Sequence, residues 1–372
     1  MSILAKITDV LGGVIPIQNS ITDAQVVLPA SDGVYIYHNP LNFDALPVSV
    51  QACFAEWVPG RVSLSEKKIY RFRDVCISWH GVIFKNFNLF VPSLMYPELA
   101  VGFKGKFLLR QWLGKRQALP ENKVMALVFD QWSAVNYFHW IIEAIPKLIV
   151  LEKSNEKITM LLPNNLPNYV LETVKIFGFS DYITIEPNVV YSAKTLLWPE
   201  RTGTYWLQNV SLLQEARGRV LKTYALDIAQ PLRRTYVSRA KSKIRRLLNE
   251  EDLYDVLANN GFEIVFFDNM SFAEQIKIAA ESEVIIGVHG ANLTNLLFMR
   301  PQTSVIELIN EKSVNLAYFK LASYCDVRYY CQPCQNAGEI VGNDTDLRID
   351  VALFSQLLEQ VVTSRLPSPP PT

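Results

Sequence analysis

The sequence has no surplus of either charge and contains no long apolar run, and each shortage excludes a class of protein. Lysine plus arginine equals aspartate plus glutamate at 36 each, so the formal charge is zero. That balance provides no broad basic footprint for nucleic acid. No stretch reaches the ~18 consecutive apolar residues of a membrane-spanning helix. The most apolar candidate, 135–151, contains Asn136, His139, Glu143, Pro146 and Lys147 and reads as a buried helix. The opening MSILAKITDVLGGVIPIQNS lacks a basic start ahead of a cleavable apolar core. The cysteines, Cys53, Cys76, Cys325, Cys331 and Cys334, are scattered and odd in number. They argue against a disulfide framework and fit a reducing cytoplasm. Cys331-Gln-Pro-Cys334 has the spacing of a metal knuckle but no second ligand pair, so buried thiols are the simpler reading. No G-x-G-x-x-G turn follows a strand, which disfavours a dinucleotide-dependent oxidoreductase or epimerase.

What is present is an apolar chain of 372 residues, long enough for two cores. Short aromatic and β-branched runs dominate the first part. Ile69–Trp79 and Val82–Phe90 read as a hairpin turning at His80-Gly81. From Lys123 strands and helices alternate, with strands at Val124–Phe129, Ile158–Leu162 and Tyr182–Ile185, and helices from Tyr137 and over Tyr169–Phe177. An amphipathic segment, Leu207–Tyr224, leads to a linker at Gln230-Pro231. A second αβ series follows, with strands at Thr235–Ser238, Phe262–Phe267, Glu283–Gly287 and Ser304–Ile309, and a capping box at Ser271 and Glu274. The Pro-rich end, Leu366–Thr372, reads as a loose tail.

Three places concentrate chemistry. In Glu283-Val-Ile-Ile-Gly-Val-His-Gly-Ala-Asn-Leu-Thr-Asn-Leu-Leu-Phe298 an apolar strand runs through a small-residue turn into a helix. The first amides of a helix have no intrahelical partner and carry partial positive charge, so such a turn suits phosphate. Gly287 and Gly290 permit close approach, and His289, Asn292, Thr294 and Asn295 add donors. A tight turn whose histidine caps the helix is the alternative. In Asn136-Tyr-Phe-His-Trp-Ile-Ile-Glu143, His139 and Glu143 stand four apart and share a helix face, either to activate a hydroxyl or as a structural pair. Ser238-Arg239-Ala-Lys-Ser-Lys-Ile-Arg245-Arg246 is a basic loop after a strand, fit for pyrophosphate or simply solvated. Asp344-Thr-Asp346 resembles an acidic metal motif, but its setting is ordinary turn composition.

In order, Asn-Tyr-Phe-His-Trp-x-x-Glu, Tyr236-Val-Ser-Arg239 with Arg245-Arg246, Ser271-Phe-Ala-Glu-Gln275 and Gly287-x-His-Gly-Ala-x-Leu-Thr-Asn-x-Leu-Phe298 resemble glycosyltransferase family 61, including its bacterial capsular-polysaccharide-type members. The resemblance covers roughly Lys123 to Ile309. It implies an α/β, GT-B-like fold of two Rossmann-type domains facing a cleft, with a β-rich N-terminal portion. The corresponding division is 1–122 and 123–230 for the acceptor side, 231–350 for a nucleotide-sugar domain, and 351–372 for a C-terminal helix and tail.

The resemblance also implies an inverting transfer without a metal or other cofactor, from a nucleotide sugar, UDP-linked, to a glycan or lipid-linked saccharide in capsule, exopolysaccharide or lipopolysaccharide synthesis. With the neutral charge, which argues against a nucleic-acid partner, and the cysteine usage, this gives a cytoplasmic enzyme meeting its acceptor at the inner membrane face. Glu143 becomes the base, assisted or replaced by His139. Arg239, Arg245, His289, Gly290, Ala291, Asn292, Thr294 and Asn295 become donor ligands, and Glu307 meets the ribose. Asn136, Ser238 and Lys243 support them. A silent nucleotide-sugar or glycan-binding scaffold is the rival reading, and a Rossmann-type sugar-nucleotide epimerase or oxidoreductase a lesser one.

Overall fold

The structure, a computed structural model, describes residues 21–35, 37–56, 60–86, 88–103, 105–203, 207–226, 230–338, 341–342 and 344–363. The expected tail at 366–372 and most of the opening segment lie outside these. The chain forms two compact units. Of the described residues, those up to Asp32 and Ser63–Arg219 make the first, while Gly33–Val62 and those from Val220 onward make the second. The boundary therefore falls inside the helix Val210–Thr223, ahead of the Gln230-Pro231 linker.

The first unit is built on a nine-stranded mixed sheet. Its long strands Lys67–Ile77 and Val189–Pro199 pair antiparallel, and the hairpin expected around His80 continues from the former into Ile83–Lys85. Gly81 turns this hairpin at φ 74°, and a Cβ there would lie 2.7 Å from the Phe129 carbonyl oxygen. On the other side Val124–Ala126, Ile158–Pro163 and Tyr182–Ile185 run parallel. This half-antiparallel sheet departs from the Rossmann-type arrangement expected of the acceptor side. The β-branched and aromatic runs between 60 and 90 are too closely spaced for helical crossovers, so they pair as hairpins.

In the second unit the strands Glu263–Val265, Arg233–Val237, Ser282–Val288, Ser304–Asn310 and Arg328–Asn336 lie side by side in that order, all parallel. Leu347–Arg348 adds an antiparallel edge. Ser304–Asn310 is buried along its whole length, as expected for a parallel strand covered on both faces. In chain order the five parallel strands read 2-1-3-4-5. Such sheets bind ligands beyond the carboxyl ends of their strands, where the order reverses. Here that point lies between Arg233–Val237 and Ser282–Val288.

The C-terminal helix Val351–Thr363 belongs to this unit's core, placing Phe354, Leu358 and Val361 among Tyr236, Ile286 and Ile306. Gly33–Val62 joins the same unit. Asn42 donates its side-chain amide to the Cys331 carbonyl at 2.8 Å and accepts from the Cys331 amide at 3.1 Å. The side chain thereby imitates a neighbouring strand at that position. Cys325, Cys331 and Cys334 are buried and all five cysteines are free; burial pushes the Cys331 and Cys334 thiols up.

The capping box forms as read. Ser271 Oγ accepts from the Glu274 amide at 3.3 Å, and Glu274 Oε2 accepts from the Ser271 amide at 2.7 Å. Ser271→Ala should therefore lower stability by about 1 kcal/mol, seen as a lower urea midpoint at an unchanged slope.

Candidate active site

In the first unit, Asn136 caps the N-terminus of a helix by accepting from the Phe138 amide at 2.9 Å. The helix begins as α over Tyr137–His139, opens into a π turn over Trp140–Ala144 and returns to α over Ile145–Glu152. Such π turns recur at functional sites because they re-aim side chains within a regular helix. His139 and Glu143 are both 7% exposed. His139 Nδ1 stands 3.2 Å from Glu143 Oε1, close enough for an ion pair but not aligned as a hydrogen bond. His139 Nδ1 and Glu143 Oε2 have no hydrogen-bond partner among the described residues. Buried polar atoms are rarely left so.

Glu143 faces a cavity of about 560 Å³ lined also by Leu94, Tyr96, Lys147, Trp198 and Arg201. Burial and the nearby Arg201 guanidinium pull Lys147 down to about 8, against the support of Asp130 and Glu143. Burial opposes the charge of Asp130, but Lys147, Arg201 and the Ser133 and Trp132 amides outweigh it and hold the carboxyl at about 2. Sequence reading missed Asp130 and Arg201 as site residues and saw Lys147 only as a charge in an apolar helix. The i, i+4, i+8 spacing of His139, Glu143 and Lys147 was the available signal.

In the second unit, Ser238-Arg239 leaves the carboxyl end of Arg233–Val237, and His289-Gly290 leaves that of Ser282–Val288. These are the two strands at the reversal of order. Ser238 is fixed by donating to Glu250 Oε2 at 2.9 Å and accepting from the Ala240 amide at 3.1 Å. The Arg239 guanidinium lies against Gly290, where a Cβ would fall 2.5 Å from Nη1. Its other nitrogens donate to the carbonyls of Arg245 (3.3 Å) and Ile244 (3.2 Å). No carboxylate pairs with Arg239 within 4 Å among the described residues; burial and then Arg245 depress its proton affinity.

Arg245 turns at φ 55°, an uncommon conformation for a non-glycine residue. One of its guanidinium nitrogens donates to the His289 carbonyl at 3.5 Å. Arg245 Nε and Asn292 Nδ2 are buried donors without a hydrogen-bond partner among the described residues, with the exposed Asp344 carboxylate 3.8 Å from Arg245 Nε. Two crowded guanidinium groups and unmatched donors at a switch point suit an anion. Lys243 is exposed on the same loop. Arg246 is tied to Asp346 at 2.6 Å, so this aspartate holds the loop, in keeping with the turn reading of Asp344-Thr-Asp346.

Several expected roles change. Glu307 was expected to meet a ribose, but it is fully buried. One of its carboxylate oxygens contacts His289 Nδ1 at 2.5 Å and the other accepts from Tyr329 at 2.7 Å. It orients the imidazole, leaving Nε2 as the ring nitrogen for a ligand. The element after the turn is a 3₁₀ helix, Ala291–Phe298, not an α-helix. The His289 amide is taken by the Leu308 carbonyl at 2.9 Å, so fewer free amides serve an anion than an α N-terminus offers. Asn295 points inward and donates to Gln275 Oε1 at 3.1 Å. Gln275 in turn donates to the Phe267 and Met270 carbonyls. These two motif residues brace the fold. Thr294 is fully buried beside Tyr318.

The glycosyltransferase 61 family model matches residues 137–306, a span holding both constellations apart from Asp130, Asn136 and Glu307. The EGF domain-specific O-linked N-acetylglucosamine transferase of Drosophila melanogaster is 38% identical over 103 residues, 27% of this chain and 19% of its own length. The Bos taurus protein of the same name is 31% identical over 186 residues, 43% and 34% of the two chains. The beta-1,2-xylosyltransferase RCN11 of Oryza sativa subsp. japonica is 35% identical over 77 residues, 18% and 14%. The matches thus span about a third or less of these relatives. Over residues 137–306 the chain is similar to glycosyltransferase 61 sequences.

Proposed function

We propose that the chain is an inverting, metal-independent glycosyltransferase that moves a sugar from a UDP-linked donor to a hydroxyl of a glycan acceptor. The observation that carries this reading is where the unmatched buried atoms fall. Among them in the second unit are the donors Arg245 Nε and Asn292 Nδ2, beside Arg239 and the His289 turn; in the first they include the acceptor Glu143 Oε2, with His139 Nδ1 and Arg201 Nε next to it. Inverting transfer needs both kinds of group. A base takes the acceptor proton as its oxygen attacks the anomeric carbon, and fixed positive groups stabilise the departing diphosphate. Glu143 serves as the base with His139 beside it, and Arg239, Arg245 and His289 serve the diphosphate.

For the acceptor we infer a saccharide of surface-polysaccharide assembly, met at the cytoplasmic face of the membrane; this rests on the family resemblance. Among the described residues no helix is long and apolar enough to cross a membrane. The names of the animal relatives favour a second acceptor class, a hydroxyl on an EGF domain.

The direct test is thermal stabilisation by UDP-, GDP-, CMP- and TDP-sugars, with and without EDTA. A ligand of the native state at a hundred times its dissociation constant adds about 2.7 kcal/mol. UDP-sugars are expected to raise the transition by several degrees whether or not EDTA is present. No shift with any nucleotide sugar in folded protein would favour the silent scaffold, and a shift abolished by EDTA would overturn the metal-free mechanism.

A further inference from the structure

Asp130, Lys147 and Arg201 are charged groups of the first unit that stand beside Glu143. Asp130 closes a tight turn after the strand Val124–Ala126. Its Oδ1 accepts from the Trp132 amide at 3.1 Å, the Ser133 amide at 3.0 Å and the Ser133 hydroxyl at 3.1 Å. That leaves Oδ2 for cations, and it meets Arg201 Nη2 at 2.7 Å and Lys147 Nζ at 3.8 Å. Lys147 is 1% exposed and also donates to the Val128 carbonyl at 2.9 Å. Arg201 bridges the two carboxylates, with Nη1 3.7 Å from Glu143 Oε2, while its Nη2 also donates to the Leu94 carbonyl at 3.1 Å.

A buried ion group of this kind is a weak source of stability, because desolvation offsets most of the attraction. The arrangement has another physical effect. Asp130, already committed to its own turn, neutralises only one of two cations, and the surplus positive charge falls on Glu143. Three atoms around that carboxylate, Glu143 Oε2, His139 Nδ1 and Arg201 Nε, are buried without a hydrogen-bond partner among the described residues. All three residues belong to the wall of one cavity or stand next to it.

We propose that Asp130, Lys147 and Arg201 are a positioning network for Glu143. Arg201 and Lys147 hold its carboxylate turned to the cavity beside fixed positive charge, and Asp130 fixes the two cations in place. The inference rests on Glu143 being the base of the transfer. The other titratable groups facing it are His139 on the same helix and Lys67, Glu98 and Glu200 on the cavity walls.

The test is the pH dependence of kcat for Arg201→Met, Arg201→Lys and Lys147→Met, each first shown to be folded. Arg201 is one-fifth exposed, so its replacement is expected to leave the fold intact even if Lys147→Met does not. For Arg201→Met, kcat at neutral pH should fall about tenfold while the donor KM stays within about twofold. The acid limb should move up by about one pH unit, the effect of losing a cation within 4–6 Å. Arg201→Lys should restore the limb. An unmoved acid limb in Arg201→Met, or a loss expressed in the donor KM alone, would overturn the proposal. Glu143→Gln separates the two readings. If that variant still turns over, the base assignment fails; if it is inactive while the Arg201→Met limb stays put, only the network fails.

Discussion

Glu143→Gln is expected to abolish sugar transfer and leave donor binding nearly unchanged. The substitution keeps the size of the side chain and its place on the π turn, but an amide cannot take the acceptor proton. A positioned general base contributes about a hundredfold to ten-thousandfold, so kcat should fall by at least about a hundredfold. The UDP-sugar dissociation constant, measured by calorimetry or thermal shift, should stay within about twofold, because the proposed donor ligands Arg239, Arg245 and His289 lie on other elements of the chain. Normal turnover would remove Glu143 as the base and pass the role to His139, its neighbour at 3.2 Å.

Arg239→Ala should show the opposite pattern. Its guanidinium has no carboxylate partner among the described residues within 4 Å and is held in place by two carbonyls and by the absence of a side chain at Gly290. Charge-assisted hydrogen bonds contribute about 1.5–3 kcal/mol each. The affinity for nucleoside diphosphate should therefore drop by about tenfold to a hundredfold, read by titration with UDP. Gly290→Ala should reproduce part of that loss with Arg239 intact, since the new methyl would displace the Nη1 end. Unchanged UDP affinity in both variants would place the diphosphate elsewhere.

Four strands of the second unit were legible because each is a short apolar run bounded by turn residues, and the capping box because its partners are three apart; Arg328–Asn336, with Pro333 and polar residues along it, was not. What depends on distance along the chain was not. Asn42 meets Cys331, and no local pattern announces that. Arg201 reaches Asp130 across seventy-one residues, which hid the charge network from a reading built on neighbours. Glu307 was expected to be a ligand from the family resemblance, as an acid at a strand end. The same fact, given a partner in His289, makes it an internal brace. The motif itself was read correctly as a block and less well residue by residue, since Asn295 and Gln275 turn inward to each other while Arg239 and Asn292 do not. Spacing gives no sign of that direction within a 3₁₀ turn.

The membership of Gly33–Val62 in the second unit bears on synthesis. Chains emerge from the ribosome at roughly 5–20 residues per second, and the partner of Asn42 lies 289 residues downstream. The segment therefore waits roughly 15–60 s for the strand it caps, while the first unit is completed around it. Phe54, which stacks edge-on against Phe319 in the finished protein, has no such partner in the meantime. A nascent chain stalled near residue 230 is thus expected to carry a folded first unit with a chaperone-binding loop looped out of it, and cleavage at that loop by a protease is the sign to look for.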